Sequence, residues 1–106
     1  GNPSDIRLKE SIETISDPIA KVQQLRGVTF KYKKDGKRST GLIAQELQKV
    51  LPEVVYTTED LHTKEEHLAV RYGNTVGLLV EAIKEQQQQI ENLKQTIEEM
   101  KSHGDN

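Results

Sequence analysis

The feature that most constrains this chain is a hydrophobic repeat in its last third. Between Asn74 and Lys101 there is no proline, and Gly77 is the one glycine. Written as heptads, Val76, Ile83, Ile90 and Ile97 occupy one seam position, and Leu79, Gln86, Leu93 and Met100 the other. Seven of the eight are apolar, and Lys84, Glu85, Glu91, Lys94, Glu98 and Glu99 lie outside the seam. A 3.5-residue apolar period held over four heptads predicts a coiled-coil helix. At ~1.5 Å per residue the rod is about 40 Å long, too long to fold back over the small body that the other residues can build. β-branched residues at one seam position with leucine at the other lean towards two strands, and Gln86 is a polar interruption that sets register or strand number at a cost in stability. A lone helix packed on its own domain is the alternative, because Gln86 to Gln89 soften the pattern.

The remaining residues read as one small α+β body. Asp17 to Leu25 predicts a short helix, with Ser16 or Asp17 as cap, Pro18 at the first helical position and Gly27 as a stop. Val28, Phe30 and Tyr32 alternate with Thr29, Lys31 and Lys33, the pattern of a half-buried strand. Asp35-Gly36 marks a turn, with Thr40 to Ala44 returning as the second strand. Gln45 to Leu51 reads as a helix ended by Pro52, and Val54 to Tyr56 as a strand. Thr57 to Glu66 is an exposed loop or protruding hairpin, and His67 to Tyr72 alternates again. The expected organisation is an α+β body over residues 1–73, a coiled-coil helix over 74–101 and a disordered tail over 102–106.

Composition narrows the function classes. With 33% hydrophobic and 30% charged residues, a 106-residue chain has little apolar material for a core, and partner chains are expected to complete it. No cysteine means no disulfide and no thiolate nucleophile or ligand. A formal charge of −2 argues against nucleic-acid binding through bulk charge, and Lys31, Lys33, Lys34, Lys37 and Arg38 read as the solvated tip of a hairpin. His62 and His67 flank Glu65 and Glu66 without the spacing that puts zinc ligands on one helical face, so no metal or cofactor is expected. No apolar run reaches the length of a membrane span. Gly41 marks either a close approach to a strand or a bulge.

One constellation is chemical: Ser4-Asp5-Ile6-Arg7-Leu8-Lys9-Glu10. Serine becomes a nucleophile when a base takes its proton, and a lysine kept neutral by burial or by a cationic neighbour, here Arg7, can be that base. Five residues apart, Ser4 and Lys9 diverge by ~140° on a helix and face opposite sides of a strand, so a turn or a tertiary contact must unite them.

This string resembles the opening of the intramolecular chaperone domains at the C-termini of phage tail spikes, fibres and neck appendages. These are the self-cleaving S74 peptidases, which include the cleavage domain of the membrane-bound myelin regulatory factors. The resemblance continues through Leu25-Arg26-Gly27-Val28-Thr29-Phe30, Gly41-Leu42-Ile43-Ala44-Gln45-Glu46, Val50-Leu51-Pro52-Glu53-Val54-Val55, Leu68-Ala69-Val70-Arg71-Tyr72 and Leu78-Leu79-Val80-Glu81-Ala82-Ile83. It implies a homotrimer that holds an upstream β-structured region of the same polypeptide in register, in the host bacterial cytoplasm during virion assembly. It also implies one cut, immediately before Ser4, with Ser4 and Lys9 as a catalytic dyad and Pro3 supplying the scissile carbonyl. Neither nucleic acid nor membrane is an implied partner. The competing readings are a non-catalytic oligomerisation module and the release domain of a membrane-tethered transcription factor.

Overall fold

A computed structural model describes residues 1–104. Two antiparallel hairpins and two short helices form a small body, from which one long helix projects. Helix α1 (Pro18–Gln23) leads to strands β1 (Val28–Lys31) and β2 (Arg38–Gly41), helix α2 (Ala44–Gln48), strands β3 (Val55–Glu59) and β4 (Glu66–Val70), and helix α3 (Val76–Gly104). Single 3-10 turns at Ile6–Leu8, Pro52–Val54 and Tyr72–Thr75 make the corners. The molecule measures 75 × 41 × 23 Å.

The β1–β2 hairpin pairs Val28 with Gly41 and Lys31 with Arg38, and Val28 and Phe30 turn inward as their alternation predicts. The return strand is displaced from its expected place: it ends at Gly41, and Ala44 already opens α2. Gly41 is a close-approach glycine. A Cβ there would collide with the Tyr72 hydroxyl, which accepts a hydrogen bond from the Leu42 amide at 3.0 Å. The Thr57–Glu66 stretch is a hairpin rather than a loop, with Val55 opposite Val70 and Glu59 opposite Glu66. The two hairpin tips share one design. Tyr32 and Asp60 each donate an amide hydrogen to a carbonyl five residues on, closing loops whose last residue, Gly36 or Lys64, is left-handed at φ 71° or 63°.

Helix α1 ends at Gln23, two residues before its expected end, through 3-10 bonds from Gln24 and Leu25, and Gly27 plays no part in stopping it. Asp17 sits at the N-cap but is left-handed at φ 47° and makes no side-chain cap. The cap is tertiary: the Glu85 carboxylate of α3 accepts the Ile19 amide hydrogen at 3.1 Å. This places a negative charge on an unpaired amide in the helix's first turn.

The core is Leu47, Leu51, Val54 and Leu78, with Ile15, Val22, Leu25, Leu42, Val55 and Val70 packed around it. Only Leu78 and Ala82 of α3 are buried. The seam residues Val76, Leu79, Ile83, Gln86, Ile90, Leu93, Ile97 and Met100 all face solvent. Helix α3 runs to Gly104, three residues past its expected end, so residues 102–104 are helical where a tail was expected. The rest of that expected tail, Asp105 and Asn106, lies outside the described residues.

Candidate functional site

The turn that Ser4 and Lys9 require is the 3-10 turn Ile6–Leu8. Asp5 caps it by accepting the Arg7 amide hydrogen at 2.8 Å. The Leu8 and Lys9 amides donate to the Asp5 and Ile6 carbonyls, and the chain reverses enough to bring the two side chains together. Lys9 Nζ lies 2.9 Å from Ser4 Oγ, within reach for proton transfer. This arrangement fits neither helix nor strand geometry, which is why spacing alone separated the two residues.

Arg7 does not act as the expected cationic neighbour of Lys9. Its guanidinium forks onto Asp5, with Nε 3.1 and 3.2 Å from the two carboxylate oxygens and Nη2 at 2.8 Å. Its charge is therefore spent on Asp5, and this fork together with the Arg7 amide holds the Asp5 carboxyl below the usual aspartate range. The pairing also raises the Arg7 guanidinium above its ordinary value.

Pro3, Ser4 and Lys9 line a shallow cleft with Ile15, Leu51 and Val54 at its apolar side and Glu53 and Asn74 at its polar side. Ser4 and Lys9 are exposed. On the other side of the Pro3–Ser4 bond, Asn2 Nδ2 donates to Asn74 Oδ1 at 2.9 Å. Sequence reading singled out neither asparagine: they are 72 residues apart, and only the fold puts the end of the β4–α3 corner beside the N-terminal segment.

Other sequence candidates lie elsewhere. The five basic residues of the first hairpin, Lys31 to Arg38, are exposed at its tip. His67 approaches Glu65 at 3.6 Å, while the His62 amide hydrogen-bonds to Asp60 in the second hairpin's turn. Among the described residues, no helix is long and apolar enough to cross a membrane.

The Peptidase_S74 profile, described as chaperone of endosialidase, matches residues 4–56, from Ser4 into the second hairpin. The chain is 41% identical over 86 residues to long tail fiber protein Gp37 of Enterobacteria phage K3, covering 76% of this chain and 7% of that protein. Against Gp37 of Salmonella phage S16 the identity is 32% over 106 residues, 92% of this chain and 14% of the relative. Against Myelin regulatory factor homolog 1 of Caenorhabditis elegans it is 42% over 77 residues, 61% of this chain and 8% of that protein. The chain thus spans a small part of the relatives it matches.

Proposed function

Because the chain belongs to the Peptidase_S74 family, chaperone of endosialidase, we propose that it is a C-terminal intramolecular chaperone of a phage fibre or spike. In this reading it trimerises along the exposed seam of α3, holds an upstream β-structured region in register while that region folds, and then releases itself by cutting before Ser4. The observation that carries the proposal is the 2.9 Å contact of Lys9 Nζ with Ser4 Oγ beside the Pro3–Ser4 bond. The Gp37 matches support the tail-fibre setting.

The chemistry follows from the connectivity. Ser4 Oγ transfers its proton to neutral Lys9 and bonds to the Pro3 carbonyl carbon through a five-membered ring. The carbon–nitrogen bond to Ser4 breaks, and the nitrogen leaves as an amine with the proton returned by Lys9. Water then attacks the ester carbon, Lys9 takes its proton and passes it to Ser4 Oγ as the carbon–oxygen bond breaks, and the Pro3 carboxylic acid so formed ionises to solvent, leaving a free Ser4 hydroxyl. Burial favours the neutral amine that the first step needs, yet Lys9 is exposed on the single chain. In this mechanism the covering surface comes from the folded upstream region or a neighbouring subunit, which ties the cut to completed assembly. Attack by Ser4 on a neighbouring subunit's chain uses the same pair.

A second reading rests on the match to the myelin regulatory factor homolog: the same cut frees the upstream part of a membrane-tethered transcription factor. The two readings share Ser4 and Lys9 and differ in what precedes them.

The test is the intact mass of the whole protein, wild type beside Ser4→Ala and Lys9→Ala. The expected result is a C-terminal fragment beginning at Ser4 from the wild type alone. Cleavage of either variant at the wild-type rate removes the dyad, and an uncut wild type that still sediments as an oligomer leaves only an assembly role.

A further inference from the structure

We propose that Asn74 is a positioning residue for the scissile bond, holding the segment before Ser4 through the side chain of Asn2; this rests on the reading that the chain is cut between Pro3 and Ser4. Little else holds the N-terminal segment. Ile6, Leu8 and Ile12 are 72%, 71% and 63% exposed, and the 3-10 turn buries no residue. All the other side-chain hydrogen bonds of residues 1–14 stay within the segment: Asp5 with Arg7, and Lys9 with Ser4. Its backbone bonds at Leu8 and Lys9 are local too. Among the described residues, Asn2 Nδ2 to Asn74 Oδ1, at 2.9 Å, is the hydrogen bond that ties this segment to the body.

The two ends of that bond differ in kind. Asn74 is anchored: its amide donates to the Arg71 carbonyl, and the Arg71 amide donates to the carbonyl of buried Val54. The same corner is held from the other side by the Tyr72 hydroxyl on the Leu42 amide. Asn2 has no such backing and lies on the side of the bond that departs with the upstream product. An acceptor on an anchored backbone therefore grips the departing strand two residues before the cut, while Ser4 and Lys9 sit on a turn just after it. Holding both sides fixes the angle at which Ser4 Oγ meets the Pro3 carbonyl, and orientation of this kind contributes directly to rate. Asn74 also lies two residues before α3, so the grip is in place only when the base of the long helix is seated on the body.

The experiment measures the rate of self-cleavage in the whole protein by intact mass, with far-UV circular dichroism to confirm the fold. Asn74→Ala is expected to slow cleavage about tenfold. Asn74→Asp keeps an acceptor for the Asn2 amide and stays within about twofold of wild type. Asn2→Asp does likewise, because the Asn74 amide can turn to donate. The double acid variant places two carboxylates against each other and falls at least as far as Asn74→Ala, a reversal that general weakening of the fold does not produce. Should Asn74→Ala fail to fold, Asn2→Ala removes the same contact without touching the body and must slow cleavage equally. Asn2→Ala cutting at the wild-type rate, with Ser4→Ala inactive, overturns this proposal alone. Cleavage by Ser4→Ala overturns the underlying reading instead.

Discussion

Asp5 does two things at the turn that joins Ser4 to Lys9: it caps the Arg7 amide and it binds the Arg7 guanidinium. Both interactions need the carboxylate ionised, and both lower its pKa, the guanidinium more than the amide. The folded turn therefore binds its proton less readily than the open segment does. Its contribution is complete above the ordinary aspartate value of about 3.9 and is lost as pH falls through the lower, folded value. Followed by NMR, the Asp5 carboxyl and the Arg7 amide of Ser4→Ala are expected to titrate together, with a midpoint below 3.9. A midpoint at or above that value would mean the turn does not depend on Asp5. The motif was readable in the sequence as residue types, but the contact was not. A single 3-10 turn has no periodicity, and Arg7, apt as a partner for Lys9 on charge alone, is claimed by the nearer carboxylate.

At the scale of elements, α3 carries two apolar stripes with different tasks. Leu78 and Ala82 face the body, while Leu79 and Ile83 point about 100° away around the helix and stand 48% and 65% exposed. The heptad reading found the second stripe and missed the first, because Leu78 and Ala82 at a spacing of four are hidden in the run Val76 to Ile83, apolar apart from Gly77 and Glu81. The lone-helix alternative holds for the first turns only; beyond Glu85 every described residue of α3 is exposed. Strand β1 was legible from its alternation; β4 is Glu66–Val70 where His67 to Tyr72 was expected, and β3 runs on to Glu59 through residues read as an exposed loop or protruding hairpin. The lengths of the return strand and of α1 were not legible: the Tyr72 hydroxyl against Gly41 closes the first, and 3-10 bonds from Gln24 and Leu25 end the second. Substitutions should separate the stripes. Leu78→Ala empties a site that is 1% exposed and is expected to destabilise the body by about 2–5 kcal/mol in urea unfolding. Ile90→Asp touches nothing in the body, so it should weaken any association seen by sedimentation and lose circular dichroism only at dilutions where the chains separate. Equal loss of structure in both variants would mean that the stripes are not independent.

The whole molecule exposes far more surface than its mass requires. A compact monomer of 12.0 kDa has an accessible area of about 6,000 Å², whereas this chain has 9070 Å². Its radius of gyration is 20.1 Å, against about 13 Å for a globular chain of this length. The excess is not only polar. The α3 seam and a groove between the hairpins, lined by Phe30, Tyr32, Leu42, Leu68 and Tyr72, both present apolar side chains to water. Four residues make up the buried core cluster, so the single body is marginal by itself, and the apolar surface left to bury lies along the α3 seam and in this groove. Folding and association should then be one transition, with a Tm that depends on concentration. For a trimer, two association steps are shared by three chains, so each tenfold rise in concentration is worth roughly 0.9 kcal/mol per chain. That shifts Tm by roughly 4–7 °C for a domain of this size. Thermal melts of Ser4→Ala across a hundredfold range of concentration test this: a steady rise fits a body that is stable only as an assembly. An unchanging Tm would show that the small core suffices alone, and the proposed coupling of release to the meeting of three copies would fall with it.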